Sequence, residues 1–237
     1  MFFSNGINGN DLPDKTVCLT FDDGPGETKQ PQGPGPRTLE LAQFLASQTI
    51  AATFFVLGER VETHRDIVQG VAHLHQLIGN HTCSHPALQD KSGKFAADQI
   101  IRTEHALSGI PGVVKLFRPP YGSWGPEVAG QLNSTEARSY TGPIMWDIDA
   151  GDWSFWRQWR SAEECAAAYI ARIQNVGKGI VLMHDSSFED DIRSQSHTFE
   201  MAKLVVSWLQ QNGYTFVALD SIPQVRNALR VAQVGTQ

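Results

Sequence analysis

The chain has 237 residues and carries 19 Lys and Arg against 25 Asp and Glu, a formal net charge of −6. This length allows a sizeable core without disulfide bonds, and the acidic balance, with no cluster of basic residues, argues against a nucleic-acid partner. An uncharged or weakly charged substrate fits better.

The cysteine pattern and the hydropathy pattern exclude two further classes of protein. Cys18, Cys83 and Cys165 are odd in number and widely spaced, so neither a disulfide framework nor a zinc ribbon is expected. Residues 1–4 are too short for a signal peptide, and no apolar run approaches the roughly 18 residues that a membrane span needs. No membrane span is therefore predicted.

Strands and helices are predicted to alternate seven times along the chain. The predicted strands are 16–21, 51–56, 76–80, 113–117, 143–148, 179–183 and 214–219. The predicted helices are 37–48, 59–75, 94–108, 126–132, 161–176, 197–212 and 221–229. Such alternation indicates parallel strands with crossover helices, either an α/β barrel or a doubly wound sheet, and no linker divides the chain into two domains. Ser161 and Glu164 form a capping-box pattern at the start of one helix.

The first predicted strand ends in two adjacent carboxylates, Asp22 and Asp23, followed by Gly24 and Pro25. Because side chains alternate along a strand, the two aspartates are expected to point to opposite sides, so that one can hold a metal while the other faces a reacting water. Taken alone, this segment is better explained as a turn. The loop at 26–36, rich in Gly and Pro, is expected to be either a rim of the site or a surface insertion.

His81 and His85 place two imidazoles four residues apart, within reach of one ion. Together with Asp23 they would give three nitrogen and oxygen ligands and an open fourth position, which is typical of a catalytic zinc site. The alternative is a pair of histidines on one face of a helix.

The reactive side chains follow the ends of different predicted strands. They are Asp22 and Asp23 after the first, His81 and His85 after the third, Arg118 after the fourth, Asp149 and Asp152 after the fifth, and His184 after the sixth. In a parallel barrel these strand ends converge on one face, where barrel enzymes hold their active sites. The sequence therefore predicts one shared site.

Five ordered motifs resemble those of the polysaccharide deacetylases, which are carbohydrate esterase family 4 and share the NodB-homology domain. They are Thr-Phe-Asp-Asp-Gly-Pro at 20–25, His-Thr-Cys-Ser-His-Pro at 81–86, Arg-Pro-Pro-Tyr-Gly at 118–122, Asp-Ala-Gly-Asp-Trp at 149–153 and Leu-Met-His-Asp at 182–185. The resemblance covers about residues 16–222. It implies a single domain over 1–237 with a distorted (β/α)7-8 barrel, and a divalent metal, usually zinc, that assists hydrolysis of an acetyl group from a sugar.

The resemblance also implies a role for each motif residue. Asp23, His81 and His85 would be the metal ligands, Asp22 the general base and His184 the general acid. Arg118 would pair with Asp22, Asp152 or less favourably Asp149 would orient His184, and the backbone N–H of Tyr121 would face the oxyanion. Trp153 and Leu182 would form walls of the acetyl pocket, and Pro119 and Trp124 would bind substrate. Trp124, Phe155, Trp156 and Trp159 suit either stacking on sugar rings or packing at the barrel rim.

The expected function is metal-dependent deacetylation of N-acetylated glycans such as chitin oligosaccharides or peptidoglycan. The first alternative is an acetylxylan esterase, and the second, of another class, is a catalytically silent glycan-binding protein. A His₂Asp site also accepts cobalt, nickel or other divalent ions. Polymeric substrates of this kind imply a secreted, periplasmic or cell-wall location. Cys83 departs from the family pattern between the two histidines and is expected to be a buried bystander rather than an oxidation-sensitive thiol.

Overall fold

The computed structural model describes residues 1–28 and 33–234, with side chains described as far as residue 231. Its strands are β1 (Phe2–Ile7), β2 (Thr16–Gly24), β3 (Thr53–Val56), β4 (Leu77–Asn80), β5 (Val113–Phe117), β6 (Gly142–Ile144), β7 (Gly179–His184) and β8 (Thr215–Phe216). Its helices are α1 (Thr38–Ser47), α2 (Gly58–Thr63), α3 (Arg65–His73), α4 (Gly93–Ala106), α5 (Pro126–Leu132), α6 (Asp152–Arg157), α7 (Ala162–Val176), α8 (Asp190–Ser194), α9 (Thr198–Gln211) and α10 (Pro223–Val234).

The main sheet is parallel, with the strand order β5-β4-β3-β2-β7 and with β8 paired to the start of β2. β2 lies between β3 and β7 and is buried along its whole length, which explains its continuous apolar run. Two single bridges, Leu116 to Thr141 and Ile148 to Val181, carry the ring from β5 past β6 and back to β7. The predicted distorted barrel is confirmed. It is distorted because single bridges, and not continuous ladders, join the strands at these two places.

The core lies between the sheet and the helices that surround it. Phe21 on β2 and Phe54 on β3 are buried and stacked, with ring centroids 5.1 Å apart. Burying a side chain of this size stabilises a fold by roughly 1.5–3 kcal/mol. Because Phe21 and Phe54 are paired in register on neighbouring strands, this packing fixes the position of Asp22, the next residue of β2.

Three predicted elements differ from the observed ones. The helix expected over 59–75 is two helices, because His64 leaves the helical region with φ −134° and ψ 43°. The strand expected over 143–148 ends at Ile144, where the carbonyls of Ile144 and Met145 accept hydrogen bonds from Arg118 instead of continuing a ladder. The strand expected over 214–219 is limited to Thr215–Phe216.

Three observed elements were not predicted, namely β1, α6 and α8. β1 pairs in parallel with β6, so it covers the side of the barrel where only single bridges join the strands. α6 and α8 follow the fifth and sixth predicted strands and help to form the wall of the cavity described below. None of the helices within the ranges 1–28 and 33–234 is both long enough and apolar enough to cross a membrane.

Candidate active site

A cavity of 420 Å³ opens at the carboxyl ends of the parallel strands. Nine of the predicted site residues line it, namely Asp22, Asp23, His81, His85, Pro119, Tyr121, Trp153, Leu182 and His184. Asp149 lines it as well. Strand ends that are far apart in the sequence therefore meet at one place, as the parallel arrangement predicts.

Asp22 and Asp23 face the same site, and the expectation that they point to opposite sides is wrong. Asp23 has a φ of 72°, in the left-handed region, and the register of β2 against β3 shifts between Asp22 and Gly24. This break in the strand cancels the alternation of side chains. Asp22 Oδ2 lies 3.7 Å and Asp23 Oδ1 3.4 Å from the same atom, Nε2 of His81.

Asp23, His81 and His85 form a buried group whose three ligand atoms lie within 4.8 Å of one another. Nε2 of His85 lies 3.1 Å from Asp23 Oδ1. Nδ1 of His81 lies 2.8 Å from the carbonyl oxygen of Arg118, which can only accept, so this nitrogen donates its proton there. Nε2 is then the ring nitrogen left to face the Asp23 carboxylate, 3.4 Å from Oδ1.

Asp23 Oδ1 is buried and finds no hydrogen-bond partner within the described ranges. Burial alone would raise the pKa of Asp23, but the imidazoles of His81 and His85 outweigh it and hold that pKa well below its usual range. A buried carboxylate oxygen without a hydrogen-bond donor is unfavourable unless a cation binds it, and the two imidazole nitrogens beside it can bind the same cation. The donor set therefore fits a divalent metal.

The loop that carries the two histidines is not a helix, so the alternative of a helix-face pair is wrong. His81, Thr82 and His85 follow β4, and both Thr82 and His85 have positive φ values, 73° and 62°. The Asn80 side chain accepts from the Thr82 N–H at 3.0 Å, and Thr82 Oγ1 accepts from the His85 N–H at 3.1 Å. These bonds fold the loop back so that both imidazoles reach Asp23.

Arg118 is fully buried and binds Asp22, with Nη1 2.8 Å from Oδ1. The same Nη1 donates to Thr20 Oγ1 at 2.7 Å, and Nε donates to the Ile144 carbonyl at 3.0 Å. Its guanidinium lies over the Phe55 ring at 4.4 Å. Because these contacts hold the guanidinium on several sides, Asp22 is fixed in orientation at the cavity floor.

Asp152 holds His184 through both of its carboxylate oxygens. Oδ1 lies 2.7 Å from Nδ1 of the imidazole, and Oδ2 accepts from the backbone N–H of the same residue at 2.7 Å. Burial alone would lower the pKa of His184, but the charge and hydrogen bond of Asp152, with the charges of Asp23 and Asp22, raise it to about 10. The imidazole is therefore protonated at neutral pH.

Asp149 takes a different position from Asp152. Its Oδ1 accepts from the Gly151 N–H at 2.7 Å, and burial raises its pKa. The structure thus pairs His184 with Asp152, the partner that the resemblance to the family motifs favoured over Asp149.

Trp124 is not among the described residues that line the cavity, although a substrate-binding role was expected for it. Its indole packs against Phe2 and Phe117, with centroids 5.6 and 5.8 Å away, and its Nε1 donates to the Phe3 carbonyl at 2.9 Å. The unpredicted strand β1 supplies two of these three partners. Trp124 is therefore a half-buried residue that packs against the core, away from the described lining of the cavity.

The other aromatic candidates divide between cavity and surface. Trp153 and Trp156 line the cavity, but Trp156 is buried and donates from Nε1 to Thr198 Oγ1 at 3.2 Å. Trp159 is 77% exposed and, like Phe155, is not one of the described lining residues. Only Trp153 combines an exposed indole with a place on the cavity wall.

Sequence reasoning missed several lining residues, of which Phe188 is the most prominent. Trp146, Arg157, Ser186, Ser187, Phe188, Glu189 and Ile192 also line the cavity. Arg157 and Glu189 form an ion pair across its mouth at 2.8 Å. The one signal for Phe188 is that it is the only large aromatic in the polar stretch that directly follows His184 and Asp185.

Two further features of the sequence, Cys83 and the Gly/Pro loop at 26–36, have simple structural outcomes. Cys83 is buried, its N–H donates to Gln99 Oε1 at 3.1 Å, and burial raises the pKa of its thiol, so it is an inert bystander. In the Gly/Pro loop, residues 29–32 lie outside the described ranges. The described part packs next to α8, with the Gly35 N–H donating to the Ser196 carbonyl at 2.7 Å, and it does not line the cavity.

Comparisons with known proteins identify the relatives of this chain. A family model described as polysaccharide deacetylase matches residues 9–140. A chitooligosaccharide deacetylase of Rhizobium leguminosarum bv. trifolii is 30% identical over 218 residues, covering 89% of this chain and 92% of that protein. A peptidoglycan-N-acetylglucosamine deacetylase of Bacillus cereus is 36% identical over 138 residues, covering 58% of this chain and 46% of that protein.

A solved structure is similar over nearly the whole chain. It is a peptidoglycan N-acetylglucosamine deacetylase in complex with 4-naphthalen-1-yl-N-oxidanyl-benzamide, with a TM-score of 0.72 and 26% identity. The match covers 91% of this chain and 91% of the other. The similarity therefore extends over most of the fold.

Proposed function

The chain belongs to the polysaccharide deacetylase family, and from this premise we propose that it hydrolyses the acetamido group of N-acetylglucosamine units in chitooligosaccharides or peptidoglycan, with a divalent metal, zinc foremost. One observation carries the proposal. A carboxylate fixed by a buried arginine and an imidazolium fixed by a buried carboxylate lie in the same cavity as a group of one carboxylate and two imidazoles.

Asp23, His81 and His85 would hold the metal. The chemistry that a bound divalent metal would supply there is polarisation of the acetyl carbonyl and a lowered pKa of the attacking water. The remaining chemistry is that of the chain's own residues.

Asp22 is the general base of this proposal and takes a proton from the attacking water. Arg118 holds Oδ1 of Asp22, which leaves Oδ2 as the atom that accepts the proton. General base catalysis of this kind contributes roughly 10²–10⁴-fold to the rate. The close contact with Arg118 also keeps the carboxylate from rotating away from the water.

His184 donates a proton to the leaving nitrogen. An amide anion is a very poor leaving group, so the nitrogen must be protonated before the C–N bond breaks. Nδ1 of His184 is engaged with Asp152, and Nε2 is therefore the donor that faces the cavity. The backbone N–H of Tyr121 would donate to the oxyanion, and one such donor contributes about 3 kcal/mol.

The shape of the cavity supports a single sugar unit as the group bound next to the metal site. Its volume of 420 Å³ is near the lower end of ligand pockets, which range over roughly 300–1,000 Å³. Trp153, Leu182, Pro119 and Tyr121 supply apolar walls on which the acetyl methyl and one ring face can pack. A cell-wall or secreted glycan as substrate would place the enzyme outside the cytoplasm.

Acetate release from chelator-stripped protein tests the proposal. N-acetylglucosamine oligomers, peptidoglycan and acetylated xylan are assayed side by side, without metal and with added Zn²⁺, Co²⁺ or Ni²⁺. Release from the acetamido substrates that is restored by Zn²⁺ is the expected result. Release from xylan alone would make the protein an esterase, and glycan binding without release from any substrate would make it a binding protein.

A further inference from the structure

The two metal-binding histidines are oriented in different ways. His81 is held by the hydrogen bond from Nδ1 to the Arg118 carbonyl. His85 has a buried Nδ1 atom with no hydrogen-bond partner within the described ranges. A metal-binding histidine almost always donates its second ring N–H to a carboxylate, a carbonyl or water, because that bond fixes the ring. Among the described residues, no carboxylate or carbonyl fixes the ring of His85 in this way.

Two aromatic rings enclose the imidazole of His85. Phe188 is stacked on it, with centroids 4.3 Å apart and planes inclined by 23°. Tyr121 meets it edge to face, with centroids 4.6 Å apart and planes inclined by 64°. The stacked ring covers one face of the imidazole, so rotation about the Cβ–Cγ bond of His85 would collide with Phe188.

Arginines bind the residues on either side of Phe188, through the backbone of Ser187 and the side chain of Glu189. The Ser187 carbonyl accepts from Arg60 at 2.6 Å and from Arg193 at 3.0 Å. The Glu189 carboxylate accepts from Arg157 at 2.8 and 2.9 Å, one bond to each oxygen. These bonds hold the position of Phe188 in the chain, although the residue is 40% exposed.

We propose that Phe188 is the positioning residue for His85, and that its stacked ring keeps Nε2 of His85 directed at Asp23 Oδ1 in place of the usual hydrogen bond. The inference rests on the proposed role of Asp23, His81 and His85 as the metal centre. The phenyl ring of Phe188 offers no ligand atom for a divalent metal, so the residue would act only through the imidazole. Loss of the ring leaves the His85 side chain free to turn, so that Nε2 is directed at the metal for a smaller share of the time.

The expected effect is on metal affinity, measured with Zn²⁺ alone by competition with a fluorescent chelator. Removal of the outer partners of metal ligands typically weakens affinity about 10–100-fold. We therefore expect Phe188→Ala and Phe188→Leu to bind Zn²⁺ about 10-fold or more weakly, and Phe188→Tyr to stay within about twofold of the unaltered protein. Leucine fills much of the space of the phenyl ring but has no planar face to stack on His85, whereas tyrosine keeps that face. The two variants therefore distinguish an effect of ring stacking from an effect of side-chain volume.

The matched control is Phe95→Ala on α4. Phe95 is 39% exposed, close to the 40% of Phe188, and is not one of the described lining residues of the cavity. Its Zn²⁺ affinity should equal that of the unaltered protein. The visible absorption of bound Co²⁺ gives a second readout, because it reports ligand geometry and should change in Phe188→Ala at saturating Co²⁺.

The outcomes distinguish the inference from the proposed function. Folded Phe188→Ala with unchanged Zn²⁺ affinity and Co²⁺ absorption would overturn the inference, whether or not acetate is released. If Phe188→Ala does not fold, the same result in Phe188→Leu decides. An unaltered protein that binds Zn²⁺ and shows the Phe188 effect, yet releases no acetate from any glycan, would sustain the inference and reject the function. An unaltered protein that binds no Zn²⁺ would overturn both.

Discussion

Arg118 binds one carboxylate oxygen of Asp22. Substitution by asparagine therefore removes the negative charge and keeps the shape of the side chain. In Asp22→Asn the side-chain oxygen still accepts from Arg118, but the amide cannot take a proton from water. We expect the rate of acetate release to fall about 10²–10⁴-fold. Zn²⁺ affinity should change only a few-fold, because Asp23 and the two histidines remain. Acetate release and Zn²⁺ competition are measured on the same preparation.

The control for this variant is Asp14→Asn, which removes the same charge at a residue that is almost fully exposed and lies before β2. Its rate should match that of the unaltered protein. If Asp22→Asn kept more than a tenth of the activity, Asp22 would not be the base.

His184 provides a pH dependence with a defined sign. Its pKa is raised to about 10, so the protonated donor is present at neutral pH and is lost as the pH rises through that value. The rate should therefore fall on the alkaline side. Asp152→Asn removes the charge that contributes most to raising this pKa, so the alkaline limb should move to lower pH. Rates between about pH 6 and 11, fitted for both proteins, measure the shift.

A general loss of stability would lower the rate at all pH values without moving this limb, so the position of the limb is the decisive quantity. Asp14→Asn again serves as the control and should leave the limb in place. An alkaline limb at the same pH in Asp152→Asn would show that another group titrates.

At the scale of elements, the helix α7 begins with a complete capping box. Ser161 Oγ accepts from the Glu164 N–H at 3.2 Å, and the Glu164 carboxylate accepts from the Ser161 N–H at 3.1 Å. Ser161→Ala removes one of these acceptors, and we expect the free energy of unfolding to fall by about 1 kcal/mol. Urea unfolding monitored by circular dichroism measures it, and the rate of acetate release at 25 °C should stay unchanged.

Ser207→Ala in the middle of α9 is the opposite control. Ser207 is exposed, and alanine has the higher helix propensity, so this substitution should be neutral or slightly stabilising. A fall of equal size in both variants would mean that the capping box contributes nothing specific.

The elements that the sequence predicts are those with uninterrupted apolar runs. β2, β3 and β7 are found where such runs occur, because strands buried on both faces need mainly apolar side chains. β1 could not be recognised, since Ser4, Asn5 and Gly6 interrupt its pattern and its pairing partner is β6, far along the chain. The break at His64 likewise depends on local backbone angles that no periodicity reveals.

At the scale of the whole molecule, the site could be predicted to the extent that barrel topology brings strand ends together. Asp22, Arg118 and His184 are remote in sequence and meet for that reason. The place of Trp124 depends instead on β1 packing over it, and the place of Phe188 depends on arginines from other helices that bind its loop. Tertiary contacts of this kind leave no trace in spacing or composition.

The buried acids around the site lead to a prediction for the stability of the entire fold. Asp22, Asp23 and Asp185 are all buried, and burial together with the charges of the other two raises the pKa of Asp185 to about 7. The raised pKa means that the ionised Asp185 carboxylate opposes folding near neutral pH, and a cation that binds only the folded chain relieves this. Zn²⁺ at a hundred times its dissociation constant should stabilise the protein by about 2.7 kcal/mol. The melting temperature, followed during zinc titration and after chelation, measures this.

The stabilisation should require the ligands and not merely a divalent cation near an acidic surface. Asp23→Asn loses a charged ligand, so its melting temperature should respond little to Zn²⁺, whereas Asp14→Asn should respond as the unaltered protein does. Mg²⁺, which prefers oxygen ligands, should have little effect at the same concentration, because two of the three ligands are imidazoles. An equal increase in melting temperature with Mg²⁺, or in Asp23→Asn, would mean that the ion acts by screening and that the His₂Asp group is not the site that joins metal binding to folding.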